Sequence, residues 1–199
     1  MPNFASDIVN AMSVDVEDYF HVAALAQSID RSTWNDREYR AEENTRRLLD
    51  LFEASNMKST FFVLGWVAKR SPQLIREIHD RGHEVASHGM SHLLVYNQTP
   101  QEFASETIES KKLLEDITGA VATHFCYPSG EYRPHQKAWL RELGVASATT
   151  TRHGLSYPGM DAMELPRFLD SDAHAPELFD AALTGLLAIL REPAAALRR

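Results

Sequence analysis

The sequence contains a single cysteine, Cys126, among its 199 residues. An internal disulfide is therefore excluded, and the cysteine usage does not demand an oxidising compartment. Its longest apolar run, residues 181–190, falls well short of the roughly 20 residues that span a bilayer. The first 20 residues lack the basic and apolar regions of a signal peptide, so we expect a cytoplasmic protein without a membrane span.

Basic residues are also in deficit, with 20 Lys and Arg against 28 Asp and Glu and a net charge of −8. This balance argues against a nucleic-acid partner, because a basic surface is needed to neutralise phosphates. A chain of this length with 44% hydrophobic residues can bury one substantial core. We predict a single domain over residues 1–199, whereas its oligomeric state has no signature in the sequence.

Short apolar runs alternate with helical patterns along the chain. We predict strands at 11–16, 58–65, 83–87, 123–128 and 145–150, a weaker strand at 163–169, and helices at 41–56, 71–82, 99–119, 133–144 and 175–192. Ser71 before Pro72 and Thr99 before Pro100 are typical helix starts, and Glu102 completes a capping box with Thr99. About six strand–helix alternations indicate a parallel α/β fold, in which chemistry gathers at the carboxyl ends of the strands.

Two histidines follow the third predicted strand, in "SHGMSH". His88 and His92 are four residues apart, so one helical turn or a tight loop can aim both imidazoles at one point. Such a pair occurs more often without a metal than with one. Two imidazoles and one carboxylate would, however, form a three-ligand site with open positions, which is typical of a hydrolytic metal.

The carboxylates of such a site are available in "SVDVEDYF", at the end of the first predicted strand. Asp15 and Glu17 face the same side of an extended strand, and Asp18 enters the next loop. One acid can bind a metal while another accepts a proton from water. An acidic loop alone is usually only solvated; its occurrence together with the histidine pair favours a metal site.

Three segments, "SVDVEDYF", "STFFVLGWVAKRSPQLIREIHDRGHEVASHGMSH" and "FCYPSGEY", together resemble the polysaccharide deacetylase (NodB-homology) superfamily over residues 12–168. The first segment is similar to the branch associated with bacterial exopolysaccharide systems. The resemblance implies an α/β fold of the distorted (β/α) barrel type with fewer than eight strands. It also implies metal-dependent hydrolysis of an N-acetyl group on an amino-sugar polymer or oligosaccharide, with release of acetate.

The resemblance assigns roles to individual residues. Asp15 matches the general base, and His88 and His92 match the two histidine ligands. Asp18 is the preferred carboxylate ligand, with Glu17 as the alternative. The donor set suits a divalent metal, foremost Zn²⁺, with Co²⁺, Ni²⁺ or Fe²⁺ as alternatives.

The segment "YPSGEY" matches the place where the family stabilises the developing oxyanion. The resemblance gives this role to the backbone N–H of Ser129, and such a donor commonly lowers a barrier by about 3 kcal/mol. Tyr127, Pro128 and Tyr132 lie in the same segment, where contact with the sugar is expected. We therefore predict that these three residues bind an N-acetylated carbohydrate substrate.

The chain departs from the family at two positions. Many members have Arg where this chain has Cys126, so we expect the salt bridge to the base to be lost. Many also have a late His that protonates the leaving amine, where this chain has Arg167. Arg does not give up its proton at pH 7. The other candidates for that acid are His21, His153 and His174, and the sequence does not choose among them.

These departures leave two alternatives open. A related barrel could hydrolyse another non-peptide C–N bond, such as that of a cyclic amide. A catalytically silent carbohydrate-binding protein is the second alternative. A metal ion bound in stoichiometric amount would favour either enzyme over the binding protein.

Overall fold

The computed structural model describes residues 12–152, 154, 156 and 159–167. Within this part of the chain five parallel strands form one sheet in the order β1-β2-β3-β4-β5. The strands are β1 Met12–Val16, β2 Ser59–Val63, β3 Glu84–Ser87, β4 His124–Cys126 and β5 Ser147–Thr149. Sequential parallel strands joined through helices form a distorted (β/α) barrel with fewer than eight strands, as the resemblance implies.

Five α-helices lie between the strands. They are α1 Ala41–Ala54, α2 Gly65–Arg70, α3 Pro72–Asp80, α4 Pro100–Thr118 and α5 Gln136–Glu142. The capping box of α4 is confirmed, since Thr99 accepts from the N–H of Glu102 and Glu102 accepts from the N–H of Thr99. This helix ends at Gly119, whose φ of 74° is the left-handed conformation that glycine adopts readily. None of the described helices has the length and apolarity to cross a membrane.

Three predictions of secondary structure need revision. Helix α2 was not expected, because six residues are too few to display a helical period between a buried strand and Pro72. Ser71 precedes α3 but its hydroxyl donates to Glu42 instead of capping the helix. Of the weak strand predicted at 163–169, the structure describes residues 163–167, and these form a single bridge between Leu165 and Thr149. The predicted helix at 175–192 lies outside the described residues.

The two main core clusters lie on one face of the sheet, the face that the helices cover, and a smaller cluster of Phe62, Ala86 and Cys126 lies on the other. Strand β2 is almost entirely buried, which explains its continuous apolar run. One cluster joins β2 to the first three helices and includes Phe61, Val63, Leu49, Phe52, Leu74, Ile75 and Ile78. A second cluster lies around β4 and includes Phe103, Phe125, Tyr127 and Leu140. These clusters hold the strands in register, with Val16 opposite Val63 and Val63 opposite Ser87.

Candidate metal centre and active site

The register of the sheet places the two predicted sequence motifs at one edge. Strand β1 ends at Val16 and β3 ends at Ser87, and both residues are aligned with Val63 of the intervening strand. Glu17 and His88 come directly after the ends of these two strands. Because both strands end at the same edge of the sheet, the Glu17 carboxylate and the His88 imidazole lie close together although the two residues are far apart in sequence.

Glu17, His88 and His92 form a group of three possible metal ligands, with donor atoms that all lie within 4.8 Å of one another. Glu17 Oε2 is 3.2 Å from His92 Nε2, and Glu17 Oε1 is 3.9 Å from His88 Nε2. Both imidazoles are buried. Glu17 Oε2 and His88 Nε2 have no hydrogen-bond partner within the described residues, which is the state expected of donors arranged for a cation.

The ring of His88 is oriented by its other nitrogen. His88 Nδ1 lies 2.9 Å from the backbone carbonyl oxygen of Cys126 and donates to it, because a carbonyl only accepts. The proton is then on Nδ1, and the lone pair of Nε2 is directed toward Glu17. Histidine ligands of metals are usually held by this kind of hydrogen bond, so the arrangement fits a divalent metal ion.

The loop that carries His92 is not helical. His92 has a φ of 55° and Gly89 a φ of 77°, so the chain turns sharply between the two imidazoles. At the start of α2, the N–H groups of Gly65 and Trp66 donate to Gly89 O and Met90 O, both at 2.9 Å. The loop is thus held by backbone contacts that the sequence does not reveal.

Two further side chains fix the same loop. The carboxylate of Glu106 on α4 accepts from the N–H groups of Met90 and Ser91, at 3.2 and 2.9 Å, and from the Ser91 hydroxyl. Arg31 donates to the carbonyl oxygens of Ser91 and His92. Sequence reasoning missed Glu106 and Arg31, because nothing in the local pattern of either segment indicates a partner so distant in sequence.

Asp18 lies apart from this group. Its side chain accepts from the backbone N–H of Tyr19 at 2.9 Å, and from those of Arg40 and Ala41 at 2.6 and 2.8 Å. Both carboxylate oxygens are therefore occupied in joining the start of α1 to the end of β1. The geometry does not support our preference for Asp18 as the carboxylate ligand, and it favours Glu17.

Asp15, the predicted base, is paired with Arg167. Arg167 Nη1 is 2.8 Å from Asp15 Oδ1, Nη2 contacts Oδ2, and only 8% of the Arg167 side chain is exposed. The expected loss of the salt bridge to the base is therefore wrong: Arg167 approaches from the other end of the chain and supplies the guanidinium. Burial alone would raise the pKa of Asp15, but His88 and Arg167 hold it below its usual value.

Cys126 lies next to this pair, with its Sγ 3.9 Å from Asp15 Oδ2. Asp15, His88 and Cys126 form a second group of possible ligands. Burial raises the pKa of the Cys126 thiol well above its usual value. Because a metal binds the thiolate rather than the thiol, this second group is a poorer metal site than the first.

Burial shifts the pKa values of Glu17 and His92 in opposite directions. It raises the pKa of Glu17 to about 7, despite the lowering effect of His88. It lowers the pKa of His92 to about 3, and His88 adds to that shift. His92 is therefore neutral at physiological pH, which is the form that binds a metal.

The predicted oxyanion loop follows β4 and lies beside the histidine loop, since a Cβ on Gly89 would come within 3.9 Å of Pro128. Ser129 has a φ of 58° and is half-buried. At Gly130 a Cβ would lie only 2.3 Å from Thr151 Oγ1, so the loop requires glycine there. The loop is thus compact and close to the candidate metal group.

The aromatic residues of this loop do not all match their predicted role. Tyr127 is completely buried, and its hydroxyl donates to Met163 O at 3.0 Å, so its side chain is not available to a substrate. Pro128 is also buried. Tyr132 stacks on Tyr127 with ring centroids 4.5 Å apart, is half-exposed, and donates to Glu164 at 2.6 Å. Of the three, only Tyr132 presents a substantial surface.

Of the three candidates for the leaving-group acid, His21 is among the described residues. His21 is buried, with 2% exposure, and accepts from the N–H of Asp18 through Nδ1 at 2.8 Å. Burial lowers its pKa to about 4, so it is neutral at pH 7. His153 and His174 lie outside the described residues.

Comparison with known proteins identifies the family of the chain. A family model described as polysaccharide deacetylase matches residues 28–148, more than half of the chain. Over 134 residues the chain is 28% identical to a peptidoglycan-N-acetylglucosamine deacetylase from Bacillus cereus, covering 59% of this chain and 49% of that protein. The chain therefore spans about half the length of this relative.

Two solved structures share the fold. One, from Mycobacterium smegmatis and named for the same family, has a TM-score of 0.66 at 23% identity, covering 90% of this chain and 72% of that one. The other, a CE4-family pseudoenzyme from Bacillus anthracis, has a TM-score of 0.56 at 17% identity, covering 69% and 41%. A pseudoenzyme shares the fold, so activity has to be argued from side chains. On the family match, the chain belongs to the polysaccharide deacetylase family.

Proposed function

We propose that this protein is a metal-dependent carbohydrate N-deacetylase, which hydrolyses the N-acetyl group of an amino-sugar polymer or oligosaccharide and releases acetate. The observation that carries the proposal is the group of Glu17 and the buried His88 and His92, with Asp15 beside it. A deacetylase needs a cation site and a separate carboxylate base, and this edge of the sheet offers both.

Glu17, His88 and His92 are the residues that would hold the metal. Two imidazoles and a carboxylate suit Zn²⁺ best, and Co²⁺, Ni²⁺ and Fe²⁺ accept the same donors. When bound, such an ion acts as a Lewis acid and lowers the pKa of water from about 16 toward about 7. The carbonyl of Cys126 keeps His88 in the tautomer that exposes Nε2 to the ion.

Asp15 would act as the general base. Its pairing with Arg167 keeps it ionised, so that it can accept a proton from the attacking water at neutral pH. Two hydrogen bonds to one guanidinium also fix the direction of the carboxylate. Arg167 itself keeps its proton, so its role is to orient the base and not to protonate the leaving amine.

The segment from Pro128 to Gly130 would face the acetyl group. The left-handed Ser129 and its place beside the histidine loop support its N–H as the oxyanion donor. Tyr132 is the aromatic residue that a sugar can reach. Because relatives include enzymes named for peptidoglycan and for chitin, we expect an N-acetylglucosamine polymer, and we retain bacterial exopolysaccharide as the finer prediction.

Metal content and acetate release measured together test this proposal. The His88→Ala variant should lose both the bound metal and the release of acetate from N-acetylglucosamine oligomers. The Asp15→Asn variant should keep the metal, but its rate of acetate release should fall by about 100-fold or more, because the substitution removes only the base. His79→Ala, on α3 and away from the group, is the matched control and should behave as wild type.

The same measurements distinguish the alternatives. A metal-loaded protein that releases no acetate from any oligomer would contradict the proposal and favour another C–N bond or a silent binding protein. If Asp18→Asn lost the metal while Glu17→Gln retained it, the ligand assignment would be wrong.

A further inference from the structure

A second cluster of polar side chains lies at the opposite end of the sheet from the candidate metal centre. Glu84, His124 and Ser147 are the first residues of β3, β4 and β5, whereas the proposed metal ligands follow the carboxyl ends of β1 and β3. Along β4, His124 alternates with Cys126 and therefore shares its face, the one that the helices do not cover. The cluster is thus separate from the site proposed for the metal.

Contacts between side chains join this cluster in a row. The Ser147 hydroxyl lies 2.7 Å from His124 Nδ1, and His124 Nε2 lies 3.2 Å from Glu84 Oε1. The other carboxylate oxygen, Glu84 Oε2, accepts from the Thr60 hydroxyl on β2 at 2.6 Å. The row of Ser147, His124, Glu84 and Thr60 therefore places a hydroxyl, an imidazole and an oriented carboxylate side by side across four neighbouring strands.

The carboxylate in the row favours one tautomer of His124. A carboxylate only accepts, so Glu84 favours the proton on the nearby Nε2. The lone pair is then on Nδ1, where it accepts from the Ser147 hydroxyl. A base that contacts a hydroxyl and is itself oriented by a third group is the pattern of an activated serine nucleophile. The two ring nitrogens have exchanged the places that they have in the serine proteases.

The row is accessible from solvent. The side chain of His124 is 30% exposed and that of Glu84 is 45% exposed. Ser147 and Thr60 are half-buried. A small reagent can therefore reach the imidazole and the hydroxyl beside it, and the partial burial of Ser147 favours a small acyl group over a large one.

The same row also contributes to the sheet. In the described part of the chain, β3 and β4 are aligned at a single residue pair, so the contact between Glu84 and His124 helps to join their amino ends. By contrast, β5 is aligned with β4 at three pairs. The structural role therefore depends on Glu84 and His124 and not on the Ser147 hydroxyl, so the two roles can be separated by experiment.

We propose that Ser147 is a nucleophile for small carboxylic esters, with His124 as its base and Glu84 as the residue that orients the base. Ser147 Oγ bonds to the ester carbonyl carbon, and His124 Nδ1 takes the hydroxyl proton. The C–O bond to the alcohol then breaks, and the alcohol leaves with that proton. Water hydrolyses the acyl-serine to the carboxylic acid and restores the hydroxyl. This activity is distinct from the proposed deacetylation and does not involve the metal centre.

Labelling of the full chain with an alkyl fluorophosphonate, followed by peptide mass spectrometry, measures the reactivity of each serine. Ser32 is the internal reference, because it is exposed and its hydroxyl donates to Asp30 instead of an imidazole. Ser147 should be labelled about 100-fold faster than Ser32, the lower limit for a positioned general base. Brief treatment with p-nitrophenyl acetate should leave an acetyl group on Ser147.

Variants along the row separate reactivity from stability. His124→Gln should lower the labelling rate of Ser147 by about 100-fold, and Glu84→Gln by up to about fivefold, the effect of an exposed ion pair. Ser147→Ala should lose the label and keep the thermal stability of the wild type. His135→Gln, at an exposed histidine that stacks on Trp139, is the matched control and should leave the labelling rate unchanged.

Equal labelling rates for Ser147 and Ser32 would overturn the proposal and mean that the row only joins the strands. An unchanged rate in folded His124→Gln would overturn it as well. Thermal unfolding checks the fold of each variant, and if His124→Gln does not fold, an unchanged rate in Glu84→Gln decides against the proposal. None of these outcomes depends on the release of acetate from amino-sugar oligomers, so failure of the proposed deacetylase is a separate result.

Discussion

Asp15 and Glu17 lie two residues apart at the end of one strand, yet their surroundings push their pKa values in opposite directions. The pKa of Asp15 is lowered, because His88 and Arg167 outweigh its burial. The pKa of Glu17 is raised to about 7, because burial dominates and, among the described residues, no guanidinium forms an ion pair with it. Pairs of carboxylates with divergent pKa values commonly divide their chemical roles. Here the carboxylate that already has a cation partner is suited to proton transfer, and the one without is suited to a metal.

The largest expected effect comes from removing the positive partner of Asp15. Arg167→Met should lower acetate release by about 100-fold, because the base loses both its orientation and its stabilised charge. The double variant Cys126→Arg with Arg167→Met should recover part of the activity, since the Cys126 side chain also reaches Asp15. Steady-state rates with N-acetylglucosamine oligomers measure both, with metal content checked in each variant.

The matched control is Arg141→Met, which removes a half-exposed surface partner of Asp161. Full activity in Arg167→Met would show that Asp15 needs no guanidinium. The difference between the pKa values of Asp15 and Glu17 would then not explain their separate roles.

A smaller effect is expected in the stability of the metal-free protein. The folded-state pKa of Glu17, about 7, lies above its usual value of 4.5, so the folded state holds this proton more tightly. The resulting stability is present below about pH 4.5 and is lost as the pH rises through about 7. Relative to Glu17→Gln, metal-free wild type should therefore lose on the order of 2–3 kcal/mol between pH 4.5 and 8.

Denaturant unfolding of both proteins at several pH values measures this difference. A saturating divalent metal should reverse the order at pH 8, because it stabilises only the protein that keeps the carboxylate. Parallel pH dependences in the absence of metal would contradict the raised pKa of Glu17.

The smallest expected effect concerns the support of the histidine loop. Glu106→Gln weakens the acceptor for the N–H groups of Met90 and Ser91 and should lower metal affinity by about fivefold. Glu109→Gln, on the same helix and paired only with Lys69 at the surface, should leave metal affinity unchanged. Competition with a coloured chelator measures both; equal affinities would show that the loop is held by its backbone alone.

Features that depend on residues close together in the sequence were predictable. The capping box of Thr99 and Glu102 and the buried run of β2 appear where expected. The alternation of an extended strand also placed Asp15 and Glu17 on one side, and the structure has both carboxylates beside His88. The contacts of Asp18 could not be predicted in this way, because they involve the N–H groups of Arg40 and Ala41, more than 20 residues away.

The partners of the base could not be predicted in the same way. Arg167 is separated from Asp15 by 152 residues, and no local period or cap links them. The contact joins the region after β5 to the first strand of the sheet, and only the tertiary fold brings these two regions together. The position at which a family resemblance expects an arginine was thus a poor guide, since the same guanidinium can arrive from another part of the fold.

The three hydrogen bonds of Asp18 have a consequence for how this protein can change. They join Tyr19 to Arg40 and Ala41, so one carboxylate holds the two ends of the intervening segment together. The entropic cost of closing a loop depends only weakly on the length of the loop. Residues 20–39 can therefore vary in length at little cost in loop closure, but Arg31 within them donates to the carbonyls of Ser91 and His92. A replacement segment without an equivalent cation would release the loop that carries His92, so this connection evolves together with the proposed metal centre.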